Sequence, residues 1–279
     1  MDKTGDMMRK TITNEDIYRI YQKSESKDLI HFTICGITYP DKGYKICRPA
    51  SGIACIEYIE EGLGTVNIDG KVFIPAAGDS YFLMTGRDQY YYSSEDEPWK
   101  KIFVNLSGSL LDSLVEGYGI KDTAYFKGLD ISEEIREIIA LATDGDVDHT
   151  DEYVIILNRI FIKMRRHIKE ETEVYDIAAV MKDYINTQLT AKFSLDALCA
   201  MVDKSQSQVI KLFKRAYGVT PYAYILQKRI DFSKKLLTDT NLTVKQIAER
   251  LCFSDEYYFS NIFKKKTGAS PSSYRLGGR

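Results

Sequence analysis

The chain has 279 residues, 44% of them hydrophobic and 28% charged, with a formal net charge of −2. That composition is typical of a soluble globular protein with room for two domains, and no run of eighteen apolar residues exists to make a membrane-spanning helix. The segment Met1–Asp6 has no apolar core of the signal-peptide kind, so a cytoplasmic location is expected.

Residues from about Leu29 to Ser107 read as strands. Ile53, Cys55, Glu57 and Ile59 alternate with Ala54, Ile56 and Tyr58, the period of two that puts successive side chains on opposite faces. Thr65–Ile68 and Lys71–Ile74 flank Asp69-Gly70, a dipeptide favoured in the type I′ turn of a hairpin. Gly62, Gly64, Pro75, Gly78 and Gly86 punctuate short segments, as in a β-sandwich or barrel. In Tyr90-Tyr91-Tyr92 only alternate rings can point inward.

Little in this region suggests catalysis. The three histidines, His31, His149 and His167, share no short spacing, and two lie outside the strands, so a three-histidine metal centre is not expected. No Ser/His/Asp or Cys/His arrangement can be assembled, and no phosphate-cradling G-x-x-x-x-G-K-[ST] occurs. Cys35, Cys47, Cys55, Cys199 and Cys252 form no C-x-x-C pair and read as buried free thiols. Neither catalytic residues, nor a metal, nor a cofactor is expected.

Helices follow over Leu110–Tyr118, Ser132–Leu141 and Asp151–Ile168. Along the last, Val154, Leu157, Ile160, Phe161 and Met164 form an apolar stripe, with Arg159, Lys163, Arg165 and Arg166 mostly off it. Such a stripe either seals the fold of its own chain or pairs two copies. The polar stretch Lys169–Tyr175 is the best interdomain boundary, giving domains over 1–170 and 171–279.

The last eighty-odd residues hold one helical unit twice. From Phe213 and Phe263 onward the offset is a constant fifty, pairing Lys214/Lys264, Gly218/Gly268, Pro221/Pro271 and Tyr224/Tyr274. In the first copy Ser194 caps a helix carrying Leu195, Leu198 and Val202, and Ser205 caps a second helix carrying Val209, Leu212 and Phe213. Gly218 stops that helix, and Pro221 starts the next. The second copy uses Thr243 and Ser254 as caps, with Ile247, Leu251, Phe259, Ile262 and Phe263 inward. Each copy is thus a helix-turn-helix, whose second helix can enter a DNA major groove.

Charge agrees with this reading. Residues 176–279 hold seventeen Lys or Arg against nine Asp or Glu, a net of +8, which leaves −10 on the remainder. A basic half suits a polyanionic partner, here double-stranded DNA. Ser205, Lys214, Arg215, Ser254, Lys264 and Lys265, with Lys266 beside them, are candidate phosphate contacts. Gln206, Ser207, Ile210 and Lys211 of the first copy, and Glu256, Tyr257, Ser260 and Asn261 of the second, are candidate base readers. Lys donates to guanine, Asn pairs with adenine, Glu accepts from cytosine and Ile packs on a thymine methyl.

The spaced set Phe213, Lys214, Gly218, Thr220, Pro221 and Tyr224 is followed by a second: Ile247, Ala248, Phe253, Ser254, Phe259, Phe263, Lys264, Gly268, Ser270 and Pro271. Together they resemble the signature of AraC-type transcription regulators. The glycine order of the strand region, followed by Pro98-Trp99, resembles the cupin-like sensor domain of the same regulators. The resemblance implies an α+β chain: an N-terminal β jelly-roll (cupin-like) barrel with flanking helices, then an all-α domain of two helix-turn-helix units joined by a long helix over Pro221–Leu237. It implies a small-molecule effector, such as a sugar, and recruitment of RNA polymerase. It also implies a homodimer, with residues near 153–168 at the seam. Arg48, Tyr58, Gln89, Tyr91 and Trp99 are the candidate effector contacts, aromatic faces with a few donors. The family has Gly in both tight turns where this chain has Asp203 and Cys252, so strain is expected at Cys252. Two rival readings are a front domain that binds a protein instead of a small molecule, and a cupin-core enzyme.

Overall fold

The computed structural model describes residues 14–23 and 29–277, so Met1–Asp6 lies outside the described residues. Nine strands precede the first helix among those residues: β1 (Glu15–Arg19), β2 (His31–Thr38), β3 (Lys45–Arg48), β4 (Ala54–Glu61), β5 (Gly64–Ile68), β6 (Lys71–Phe73), β7 (Ser80–Leu83), β8 (Gln89–Ser93) and β9 (Lys100–Ser107). Then come α1 (Ser109–Tyr118), β10 (Tyr125–Phe126), α2 (Ser132–Ala142) and α3 (Thr150–Thr187). The rest is helical: α4 (Leu195–Val202), α5 (Gln206–Tyr217), α6 (Pro221–Asp239), α7 (Val244–Arg250), α8 (Glu256–Thr267) and α9 (Pro271–Gly277). The chain divides into two compact units between Lys169 and Glu170.

The first unit is a pair of antiparallel sheets, one in the order β1-β2-β9-β4-β7-β10 and the other β3-β8-β5-β6. Asp69 and Gly70 both take positive φ, 49° and 84°, and close the β5–β6 hairpin as expected of a type I′ turn. The alternation in β4 also holds. Cys55 and Ile59 point between the sheets into a core with Tyr44, Val66, Tyr81, Leu83, Tyr91, Trp99 and Phe103. Ala54 and Ile56 point the other way, into a second core with Phe32, Phe82, Val104 and residues of the flanking helices. Both faces of the six-stranded sheet are therefore covered, and β7 is buried along its whole length. Gly64 is needed for the inner core, because a Cβ there would lie 2.1 Å from the Trp99 ring.

The apolar stripe of the third helix goes to this second core. Tyr153, Ile156, Leu157, Ile160, Phe161 and Met164 are all buried, with Phe161 against Phe82 and Tyr118. Of the two uses considered for it, the stripe seals its own chain. Before Lys169, the large apolar side chains that α3 leaves outside are Ile155, 62% exposed, and Ile162, 37% exposed. The helix also runs through Lys169–Tyr175 instead of stopping there. That stretch has no Gly or Pro, and its Lys and Glu are good helix formers.

The second unit has two small cores. Ala178, Met181 and Ile185 of α3 join Leu198, Val209, Phe213 and Ile225 around the first helix-turn-helix. Ile230, Leu236 and Leu237 of α6 join Ile247, Leu251, Phe253, Phe259 and Phe263 around the second. α6 contributes to both, so it is the common beam of the pair.

Candidate nucleic-acid interface and effector site

Local capping chemistry fixes where each recognition helix begins. The Ser194 side chain accepts from the Ala197 N–H at 3.3 Å. Ser205 and Gln208 form a reciprocal capping box at the start of α5, as do Thr243 and Gln246 at the start of α7. Gly218 and Gly268, at φ 75° and 85°, end α5 and α8 in the left-handed conformation. The expected cap at Ser254 is corrected: Asp255 caps α8, its carboxylate accepting from the Tyr258 N–H at 2.7 Å. A carboxylate is favoured there because it also meets the positive end of the helix dipole. Ser254 donates to that carboxylate at 3.1 Å instead.

The tight turns are left-handed in both copies, with φ of 50° at Asp203 and 54° at Cys252. Asp tolerates this conformation, whereas a non-Gly residue such as Cys pays roughly 1–2 kcal/mol for it. Behind the Cys252 turn lies a residue that the sequence reading passed over. Arg229 of α6 is buried and donates to the carbonyls of Leu189 at 3.1 Å, Ala191 at 2.6 Å, Gln188 at 3.3 Å and Cys252 at 3.3 Å. It therefore ties the entry to the first helix-turn-helix to the turn of the second. Its signal was in the sequence: position 229 falls on the same helix face as Ile225 and Ser233, where a charge needs buried partners.

With the helices so placed, the reading face is open. Gln206, Ser207, Ile210 and Lys211 of α5 are exposed, as are Glu256, Tyr257 and Asn261 of α8, while Ser260 is half-buried. Tyr257 is 84% exposed, whereas its neighbour Tyr258 leans on Phe253, with ring centroids 6.3 Å apart. Val209 and Phe213, and Phe259 and Phe263, anchor the opposite faces. Ser205, Ser254, Lys214, Arg215, Lys264, Lys265 and Lys266 are all exposed around these two faces. Besides the capping partners of Ser205 and Ser254, two of the candidates have side-chain partners within the chain: Gln206 donates to Asp196 at 2.6 Å, and Arg215 pairs with Glu171. Both pairs are solvent-exposed, and such pairs are weak enough to exchange for DNA.

The effector candidates are scattered by depth. Tyr91 and Trp99 are fully buried between the sheets. Arg48 reaches them from the edge, donating to the Tyr91 hydroxyl at 3.2 Å. Gln89 is buried and staples backbone, donating to the Ile53 and Met84 carbonyls at 3.1 and 2.9 Å, while its Oε1 has no partner. Tyr58 faces the helix side of β4 and does not join the other four. Arg48 and Gln89 line an open groove of about 300 Å³ with Asn67, Asp69, Asp88 and Tyr90. Burial pushes the Cys35 thiol up to about 12 and raises the Cys55 thiol as well, as suits inert buried thiols; the expectation of five buried thiols is corrected, because Cys47 is exposed and Cys199 and Cys252 are half-buried. No group of three His, Cys, Asp or Glu among the described residues is placed to hold a metal ion, and no described helix is long and apolar enough to cross a membrane.

A double-sheet front unit followed by twin helix-turn-helix units with open, basic recognition helices defines a DNA-binding regulator of transcription. Comparison with known proteins gives the family. Residues 31–156 match the AraC-like ligand binding domain, and residues 198–277 match a helix-turn-helix domain. The chain is 25% identical over 234 residues to the raffinose operon transcriptional regulatory protein RafR of Pediococcus pentosaceus, covering 79% of this chain and 83% of that one. It is 22% identical over 271 residues to the lactose operon transcription activator of Staphylococcus xylosus, covering 92% and 96%. It is 24% identical over 231 residues to the arabinose operon regulatory protein of Salmonella typhimurium, covering 77% and 81%. The chain belongs to the AraC-type transcription regulators, with a ligand-binding domain and a helix-turn-helix DNA-binding domain.

Proposed function

We propose that α5 and α8 enter successive major-groove segments on one face of a DNA duplex, and that a sugar-like effector bound by the first unit changes which sites are occupied. The observation that carries this reading is the match between the two recognition helices. Gln206, Ser207, Ile210 and Lys211 stand at the same helical positions as Glu256, Tyr257, Ser260 and Asn261, and both helices are built on α6. α6 has 19 residues, about 28 Å of helix, comparable with the ~34 Å of one DNA turn. Ser205, Lys214, Arg215, Ser254, Lys264 and Lys265 hold the backbone and make binding salt-dependent.

The effector enters at the groove of Arg48 and Gln89, where Asn67, Asp69 and Asp88 offer the acceptors that hydroxyl groups need. The names of the raffinose, lactose and arabinose operon relatives support a sugar. Tyr91 supports Arg48 behind that groove by accepting its hydrogen bond, Trp99 packs on Tyr91, and Tyr58 takes no part. The regulator works in the cytoplasm as a homodimer that engages RNA polymerase, and within 153–168 the outward residues Ile155 and Ile162 of α3 are exposed to meet a second copy. A gel-shift titration of the promoter DNA next to its own gene, with raffinose, lactose, arabinose and their component sugars, tests this. One sugar should change the affinity or the footprint by fivefold or more, about 1 kcal/mol of coupling. No change with any sugar contradicts the effector reading while leaving DNA binding intact.

A second reading is favoured by the packing between the sheets, where Trp99, Tyr81 and Tyr91 are fully buried against one another. In it the first unit binds a protein partner. Sugar-independent DNA binding together with a cross-linked protein partner on the first unit would decide for it.

A further inference from the structure

Between the two sheets, on the dry side of β9, lies a charged side chain at a position that alternation gives to the core. Lys101 is 1% exposed, and its ammonium is paired with the Glu57 carboxylate, itself 1% exposed. Three aromatic faces close around the same nitrogen: Tyr44 and Tyr91 at 4.7 Å and Trp99 at 5.0 Å from the ring centroids. The Tyr81 hydroxyl stands 3.5 Å from it and donates to Glu57 at 2.5 Å. Cys55 completes the carboxylate's shell, its thiol donating to Glu57 Oε1 at 3.1 Å.

We propose that the interior of the first unit is a binding cage for a primary alkylammonium, occupied by the chain's own Lys101. The ring faces carry the negative end of the aromatic quadrupole, so three of them around one point select a cation. The single carboxylate balances its charge, and the negative ring faces disfavour an anionic guest. Filling the same volume with an apolar side chain would avoid the cost of stripping water from two charges. A ring-and-carboxylate enclosure is therefore explained by the ammonium, not by packing alone. The strand pairing sets the geometry: Glu57 is directly opposite Tyr81 on β7, and Lys101 is opposite Ile59, two residues along β4. Cutting Lys101 back to Cβ removes a propylammonium-shaped piece and leaves the cage vacant. This cage backs onto the groove of Arg48 and Gln89 through Tyr91, whose hydroxyl accepts from Arg48, but its test does not depend on the effector.

The test uses the full-length Lys101→Ala protein in thermal unfolding, at constant ionic strength, with propylammonium chloride, n-propanol or sodium propionate added. Propylammonium should raise the unfolding midpoint of the variant in a saturable way by roughly 3 °C or more. The alcohol and the propionate should not, and the wild-type midpoint should stay put because its cage is full. Adding Glu57→Gln to the variant should abolish the preference for the amine. An equal response to propylammonium and propanol, or none to either, overturns the proposal. Should Lys101→Ala not fold unaided, the same three compounds are supplied during refolding from denaturant. A yield raised by propylammonium alone supports the cage, and equal yields overturn it.

Discussion

Burial by itself would lift the Glu57 carboxyl above its ordinary range. Lys101 beside it, with Tyr81 and Cys55 donating, more than offsets that and holds it low. Burial likewise disfavours the Lys101 ammonium, and the attraction of Glu57 outweighs this and shifts its ionisation upward. A carboxyl lowered in the folded state adds stability above its ordinary value of 4.5 and loses it as pH falls below. An ammonium raised in the folded state adds stability below its ordinary value of 10.5 and loses it as pH rises above. In urea unfolding, the contribution of this pair should therefore be level between these limits and fall on both sides. The double variant Glu57→Gln/Lys101→Met should lose both shoulders, and an unchanged pH profile would contradict the pairing. Removing one partner alone, as in Lys101→Met, should cost about 3–5 kcal/mol. On the DNA side, Lys211→Ala should weaken a specific site by about 1–3 kcal/mol and relax one base position. Lys264→Ala should weaken all sequences alike and reduce the salt slope by about one. Binding isotherms at several salt concentrations separate the two, and a uniform loss in both variants would show that the division between readers and phosphate contacts is wrong.

The turn of a helix-turn-helix is where backbone conformation and residue type conflict most openly. Cys252 adopts a left-handed conformation that glycine takes without strain. Cys252→Gly should stabilise the second helix-turn-helix by about 1 kcal/mol, and Cys252→Val should destabilise it by more. Denaturant midpoints of the isolated changes in the full chain check both signs, and a destabilising glycine would mean the turn is held by the thiol. The turn, the caps at Ser194, Ser205, Thr243 and the stops at Gly218 and Gly268 were legible because each is a contest between neighbours in sequence. Asp255 was missed because Ser254 and Asp255 both qualify, and only the course of the chain out of α7 decides between them. The strands were legible from alternation at Cys55, Ile56 and Glu57, but alternation says nothing about what covers each face. That is why the stripe of α3 had two possible uses, and why Trp99 looked like a platform for a ligand when Lys101 already lies over its ring. A lysine two residues past Trp99 in a strand points to the same side as the indole. Reading that parity would have brought Lys101 and Glu57 together with the aromatic candidates.

In the whole molecule, the acidic front and basic rear separate effector recognition from DNA recognition, and α6 carries both recognition helices. Arg229 holds the entry of the first helix-turn-helix and the turn of the second to this beam through four carbonyls. Arg275 of α9 fastens the far end in the same manner, donating to the Leu237 carbonyl at 3.1 Å and to the Leu242 carbonyl at 2.5 Å. A pair fixed in this way has one spacing and one facing, which duplication in the sequence implied but could not orient, since the tie lies in two arginines, buried Arg229 and half-buried Arg275, that bridge distant carbonyls. The most direct measurement is affinity for a DNA duplex carrying the two half-sites about 10.5 base pairs apart, compared with the same duplex lengthened by about 5 base pairs between them. The insertion turns the second half-site to the opposite face, and affinity should fall to that of a single half-site. Equal affinity for the two duplexes would contradict the placement of α5 and α8 in adjacent grooves on one face.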